Sequence, residues 1–226
     1  LFSLAIFAFG RFSRLLREGL AFLGLLATFL ISVAIYQKVM AGHVLSAWKM
    51  TIYVDGLSAL MEIIGSLMGL LIVLYSPQYL KKRGLPAEIT PKRLGLYYGL
   101  LLLFLGTMNW TCATNNIVML YVSLEATTLA TTFLITFYWG KRASEAGYKY
   151  LLLVTIGVTF ALFGCVLVYS ASLPHLSGHE ALLFTSIGKV AGKIPVSIVL
   201  LACAFFIAGF GTKAGLIPFH AWLPDA

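Results

Sequence analysis

Five ionisable residues stand inside or at the rims of long apolar runs: Asp55, Glu62, Glu125, Lys149 and Lys213. A charged group in a hydrocarbon layer costs about 2.5–3.5 kcal/mol on insertion scales, so it persists only where something satisfies or uses it. Carboxylates and amines in such places can take up and release protons. Glu125 follows Ile117-Val-Met-Leu-Tyr-Val-Ser-Leu, a run with no group able to neutralise it. At 1.5 Å per residue it lies about a dozen ångströms into its segment. On a helix, its face carries Tyr121 at i−4, Thr128 at i+3 and Thr132 at i+7. This polar stripe implies a bundle interior that admits water. The competing reading is a protonated glutamate that only bonds a neighbouring helix.

Lys213 stands in Gly209-Phe-Gly-Thr-Lys213-Ala-Gly-Leu-Ile-Pro218-Phe-His220. Pro218 lacks an N–H and clashes with the carbonyl of Ala214 if a helix continues, so the helix is expected to break or kink between Lys213 and Pro218. Irregular backbone at membrane depth is tolerated only against protein or a water-filled cavity, and broken helices mark ion sites in transporters. The alternative is a snorkelling lysine at a helix end. Lys149 opens a segment at Tyr148-Lys149-Tyr150, where snorkelling explains it equally well. Asp55 reads as a charge at a helix N-terminus. Glu62 shares its face two turns deeper, and its role stays open.

The elements that must position these groups follow from composition. The 226 residues are 60% hydrophobic and only 11% charged. A soluble domain of this size has too few charges to cover itself. Apolar runs near the roughly 20 residues that cross a bilayer are read at 20–36, 54–75, 94–110, 117–138, 150–171 and 196–217. Residues 1–10 read as the tail of an earlier span, so about seven spans are expected, and the fold class is an all-α polytopic bundle. The chain begins inside an apolar run without Met and stops at Pro224-Asp225-Ala226, and it is expected to be a piece of a longer one.

The net charge of +8 does not point to nucleic acid, because the charges sit between spans. The first, third and fifth loops hold Arg11, Arg14, Arg17, Lys81, Lys82, Arg83, Lys92, Arg93, Lys141 and Arg142; the second, fourth and sixth hold only Lys38, Lys49, Lys189 and Lys193. This asymmetry places the odd loops in the cytoplasm, with anionic headgroups of the lipid bilayer as partners. Residues 76–93, with Pro77, Pro86 and Pro91, read as an ordered cytoplasmic loop, and residues 173–195 as an outside loop with a short interfacial helix near 181–187. His175, His179 and Glu180 have the spacing of metal ligands, but Pro174 and Gly178 argue against a regular helix there, so no metal is expected. Cys112, Cys165 and Cys203 are far apart and read as packing residues. Gly65 with Gly69, and Gly211 with Gly215, are spaced for close helix contact.

Gly211-Thr-Lys213-Ala-Gly-Leu-Ile-Pro218-Phe-His220-Ala-Trp222-Leu-Pro224-Asp225-Ala226 resembles the signature of the antiporter-like subunits of respiratory complex I, multisubunit cation/proton antiporters and group 4 membrane-bound hydrogenases. Tyr121-Val-Ser-Leu-Glu125-Ala-Thr-Thr-Leu resembles the family's glutamate helix, Val54-Asp55-Gly-Leu-Ser-Ala-Leu its third-helix start and Tyr148-Lys149-Tyr150 its sixth. The stretch from Leu124 to Leu129, with the residues from Ala143 to Lys149, is most similar to the formate-hydrogenlyase and hydrogenase-4 type. The resemblance implies a fourteen-helix fold of two inverted repeats, each with a broken helix. It reads residues 1–93 as N-terminal transmembrane helices and 94–226 as most of the first repeat, truncated at its C-terminus. Glu125, Lys149 and Lys213 become proton-transfer residues, with Glu62, Tyr121, Thr128, Pro218 and His220 along the path or at the helix break. It implies further antiporter-like and other membrane subunits and peripheral redox subunits as partners. No flavin, haem or cluster motif is present, so no cofactor and no catalytic redox group is expected in this chain.

The simplest mechanism is a switchable ion pair. Glu125 near Lys213 or Lys149 favours the charged lysine, and moving such a pair from 4 to 8 Å at an effective dielectric near 20 removes about 2 kcal/mol of that attraction. The proton then leaves into a water-filled channel, driven by redox energy from a partner subunit. A stand-alone Na⁺/H⁺ antiporter subunit and a structural membrane anchor are the rival functions. The charge asymmetry makes a prediction: an impermeant thiol reagent on intact cells labels a cysteine at Gly178 and not one at Gly84. The opposite pattern reverses the topology.

Overall fold

The structure is a computed structural model that describes residues 2–10, 13–82, 90–138 and 140–226. Six of its helices are long and apolar enough to cross a membrane. They lie within α2 (Arg14–Met40), α3 (Gly56–Lys82), α4 (Pro91–Ala113), α5 (Ile117–Ile135, with a 3-10 turn over Thr136–Tyr138), α6 (Lys141–Ser172) and α8 (Val196–Ala214). Residues 2–9 form the eight-residue helix α1 (Phe2–Phe9), too short to cross by itself. Each expected span therefore has its helix, but several helices run past the apolar window, because backbone hydrogen bonding does not stop where hydropathy does. The expected loop at 76–93 is corrected at both ends. Helix α3 continues through Pro77 to Lys82, and α4 opens on Pro91, where the missing N–H would have had no helical partner. Residues 83–89, including Arg83, Gly84 and Pro86, lie outside the described residues, as does Arg11.

The chain divides into two compact units, residues 1–45 with 54–113 and residues 46–53 with 114–226. In the first, α3 packs on α2 and α4, and α1 packs on α4 and α2. Ile6, Ala21, Leu25, Val73, Tyr98 and Leu101 form its core. Gly69 gives Leu105 of α4 room to approach α3. Asp55 Oδ1 accepts from Ser58 N at 2.8 Å, capping α3, and that amide holds the Asp55 carboxyl below its ordinary range. Glu62 is buried at 6% exposure. A pocket of about 180 Å³ has Ser3, Thr28, Ser66 and Asn109 in its lining.

The second unit positions the site. Asn116 Oδ1 accepts from Val118 N at 2.9 Å and Met119 N at 3.1 Å, fixing the start of α5. Asn115 Nδ2 donates to Met50 O and Thr185 Oγ1, both at 2.9 Å. Met50 lies in the turn of a small hairpin, β1 (Leu45–Ala47) and β2 (Ile52–Val54), an addition that the all-helical reading lacked. The connection after α6 carries a 3-10 turn (Glu180–Leu182) and the short helix α7 (Phe184–Val190), in place of the one interfacial helix expected near 181–187. His179 Nε2 lies 3.1 Å from Lys49 O, and Glu180 accepts from Ser177 Oγ at 2.9 Å. Helix α6 packs on both α5 and α8. The α6–α8 approach is close: a Cβ on Gly209 would stand 2.6 Å from Ala161 N. Only glycine lets the two backbones meet there.

Candidate functional site

Helix α8 ends within the expected break, by a different device. Gly215 takes a left-handed conformation, φ 74°. Its N–H donates to Thr212 O at 3.2 Å, and Leu216 N donates to Gly211 O at 2.8 Å. The paired 5→2 and 6→1 bonds are a Schellman ending, which glycine adopts without a Cβ penalty. The proline clash anticipated at Pro218 is therefore not what stops the helix, which has already ended at Ala214. Gly211 and Gly215 serve this ending, with Leu216 packed against Gly211. The chain then turns back: Trp222 Nε1 donates to Thr212 O at 2.9 Å.

Lys213, on the last turn of α8, reaches two hydroxyls on two other helices. Its Nζ donates to Thr128 Oγ1 of α5 at 2.8 Å and to Tyr150 Oη of α6 at 3.1 Å. The Tyr150 ring centroid is 5.7 Å from the ammonium, within cation–π range. Thr128 donates its own proton to Leu124 O at 2.9 Å, so its lone pairs remain for the lysine. Tyr150 and Thr128 are both fully enclosed, at 2% and 0% exposure. The ammonium is thus held by neutral oxygens in a place where bulk water reaches poorly.

Glu125 sits one turn before Thr128 on α5, and Thr128 is the residue that accepts from Lys213. No ion pair within 4.0 Å joins the two. Glu125 Oε1 is buried and has no hydrogen-bond partner. Tyr121 stands on the same face and packs beside Tyr150, Val154 and Val158. Lys149 is paired with Asp225, both about half exposed. Pro218 and His220 are exposed in the segment after α8. Glu62 belongs to the first unit, where it is buried on α3. The structure therefore brings together Lys213, Thr128 and Glu125, with Tyr121 alongside, and gives Lys149 a carboxylate partner of its own.

Tyr150, Trp222 and Asp225 were not singled out by sequence reasoning. All three stand in the quoted motifs, but their types gave no signal apart from Lys149 and Lys213. One clue was available for Tyr150: a phenol placed on the apolar face of a span needs a partner for its hydroxyl.

A family profile described as NADH:quinone oxidoreductase/Mrp antiporter, transmembrane, matches residues 114–226, half of the chain. The chain belongs to this family. A second profile, described as the N-terminus of chain 5 of NADH-ubiquinone oxidoreductase (complex I), matches residues 46–86. The chain is 32% identical over 174 residues to the hydrogenase-4 component F homolog of Methylacidiphilum infernorum, covering 76% of this chain and 37% of that protein. It is 34% identical over 176 residues to Na(+)/H(+) antiporter subunit A1 of Staphylococcus haemolyticus, covering 77% of this chain and 20% of that one. Its fold matches a chain of the membrane-bound sulfane sulfur reductase, an archaeal respiratory membrane complex, with TM-score 0.82 and 23% identity over 99% of this chain and 45% of that chain. It thus spans less than half the length of these relatives. Six apolar helices and the family together make it a multi-pass protein of a prokaryotic-type inner membrane.

The geometry of Lys213 makes a second prediction. Thr128→Val and Tyr150→Phe each leave a buried ammonium short of an acceptor, at a cost of about 1–3 kcal/mol or more. Each variant is expected to lower the melting temperature of the purified protein, whereas Thr128→Ser behaves like the native protein. Native stability in both variants would show that these hydroxyls do not hold Lys213.

Proposed function

We propose that this chain is a proton-translocating antiporter-like subunit of a redox-driven membrane complex, of the membrane-bound hydrogenase or NADH:quinone oxidoreductase type. The observation that carries the reading is the pairing of a lysine ammonium held by two neutral hydroxyls with a nearby carboxylate that has a buried, unpartnered oxygen. A group that only fastened helices together would have its charges matched directly. Here the lysine rests on Thr128 and Tyr150, and Glu125 waits beside it. Movement of Lys213 toward Glu125 forms the ion pair, and movement back to the hydroxyls breaks it. At an effective dielectric near 20, a change of 4 to 8 Å is worth about 2 kcal/mol, enough to shift a proton equilibrium more than tenfold. In the separated state the ammonium gives its proton to water, and in the paired state it recovers one.

Further antiporter-like and other membrane subunits would be its neighbours, and peripheral redox subunits would supply the energy. The likeness to chains of respiratory membrane complexes supports this placing. Residues 94–226 would form most of the first of two inverted repeats. A second reading, a subunit of a multisubunit Na⁺/H⁺ antiporter without redox partners, is favoured by the similarity to antiporter subunit A1. The subunits that co-purify with the native chain separate the two.

The test is a double-variant cycle in sealed vesicles, measuring proton uptake during turnover together with the redox rate. Glu125→Gln and Lys213→Ala are each expected to abolish or strongly reduce pumping. The double variant should be little worse than either, because residues acting as a unit are not additive. Native pumping by Glu125→Gln in an assembled complex removes the reading. Loss of assembly in every variant supports a structural role for these charges instead.

A further inference from the structure

The segment after α8 does more than end the helix. Trp222 comes back over the site: its indole N–H donates to Thr212 O at 2.9 Å, and its ring meets the Tyr150 ring edge-on at 5.0 Å between centroids and 76°. Both partners adjoin Lys213. Thr212 precedes it in the chain, and Tyr150 accepts a hydrogen bond from its ammonium. Leu223 and Trp222 also pack back toward the left-handed Gly215. Three residues beyond Trp222, Asp225 pairs with Lys149, which immediately precedes Tyr150 on α6. The returning strap is thus attached at two places, and each attachment is next to a residue that contacts or carries the transferring group.

We propose that Trp222 is an occluding and positioning residue of the Lys213 site, and that the Lys149–Asp225 pair is the latch that holds it in place. The proposal rests on the reading of Lys213 as a proton-transfer group and deepens it by naming what regulates access to that group. Trp222 packs edge-on against the ring of Tyr150, which is 2% exposed and whose hydroxyl accepts from Lys213. The latch joins two side chains that are about half exposed among the described residues. The strap itself has turn structure rather than a helix, with Leu223 N donating to His220 O and Ala226 N to Trp222 O, so it can move without unwinding a transmembrane helix. Opening would bring water to Lys213 from the end of the unit that the loop charges place in the cytoplasm. Closing would exclude it, so that the proton cannot leak back along its entry route. Lid segments of this kind commonly gate buried chemistry.

The test reads access to position 213 rather than transport. Lys213→Cys is made in the assembled complex after Cys112, Cys165 and Cys203 are replaced by alanine, and inside-out vesicles are exposed to a cationic, membrane-impermeant methanethiosulfonate reagent. With Trp222 present, modification of the cysteine is expected to be slow. Trp222→Ala speeds it at least tenfold, and Asp225→Asn speeds it several-fold. Trp222→Phe keeps the ring and restores most of the protection, a rescue that a merely structural disturbance would not show. Equal rates with tryptophan, phenylalanine and alanine at position 222 overturn the proposal. If Trp222→Ala does not assemble, Asp225→Asn decides on the same readout, and an unchanged rate there sinks the latch and the cap together. The parent reading fails separately: native pumping by Lys213→Cys would remove proton transfer through Lys213, whatever the labelling rates.

Discussion

One charge governs the second unit. Lys213 brings an ammonium to the inner end of an apolar helix, where leaving it unsolvated would be expensive. The unit meets that cost with oxygens from two other helices, Thr128 and Tyr150. These contacts explain why α5, α6 and α8 must pack as they do. Glycine at position 209 brings α8 against α6, and a hydroxyl-bearing face of α5 turns toward the same place. The three helices pack through α6, and the bonds of Lys213 tie all three together.

The end of α8 is the second half of the same arrangement. A helix that stops at membrane depth leaves carbonyls without partners. The N–H groups of Gly215 and Leu216 satisfy two of them, Thr212 O and Gly211 O, and the indole of Trp222 donates a further hydrogen bond to Thr212 O. A continuous helix would carry its side chains past the site and leave no returning segment to cover it. The break places a turning stretch of chain beside Lys213, with Trp222 packed on Tyr150, and irregular backbone in a bilayer is tolerated only against protein or a water-filled cavity.

Much of this was legible in the sequence. Apolar runs of bilayer length mark the six helices, because length and hydropathy are set by the membrane and not by tertiary detail. Glu125 and Lys213 stand out because charge within such runs is costly, and Thr128 follows from helical spacing alone. What sequence does not carry is the partner of each group. The pairing of Lys149 with Asp225 spans 76 positions, and nothing local announces it. The helix stop was anticipated in place and misassigned in cause: proline is a visible breaker, whereas a glycine works only through a φ that tertiary packing selects. The hairpin at 45–54 was missed because two three-residue strands are too short to show alternation. Glu62 also carried the signal of a charge within an apolar run, and the structure buries it in the first unit.

The central claim is that Lys213 works by exchanging its proton and not merely by being positive. Lys213→Arg separates the two. Arginine keeps the charge, fits hydroxyl acceptors, and does not give up its proton at any ordinary pH. Proton uptake by sealed vesicles, measured in a fully assembled complex during turnover, is expected to be lost in Lys213→Arg while assembly is retained. Native proton uptake in that variant would contradict the account, because a fixed charge would then suffice.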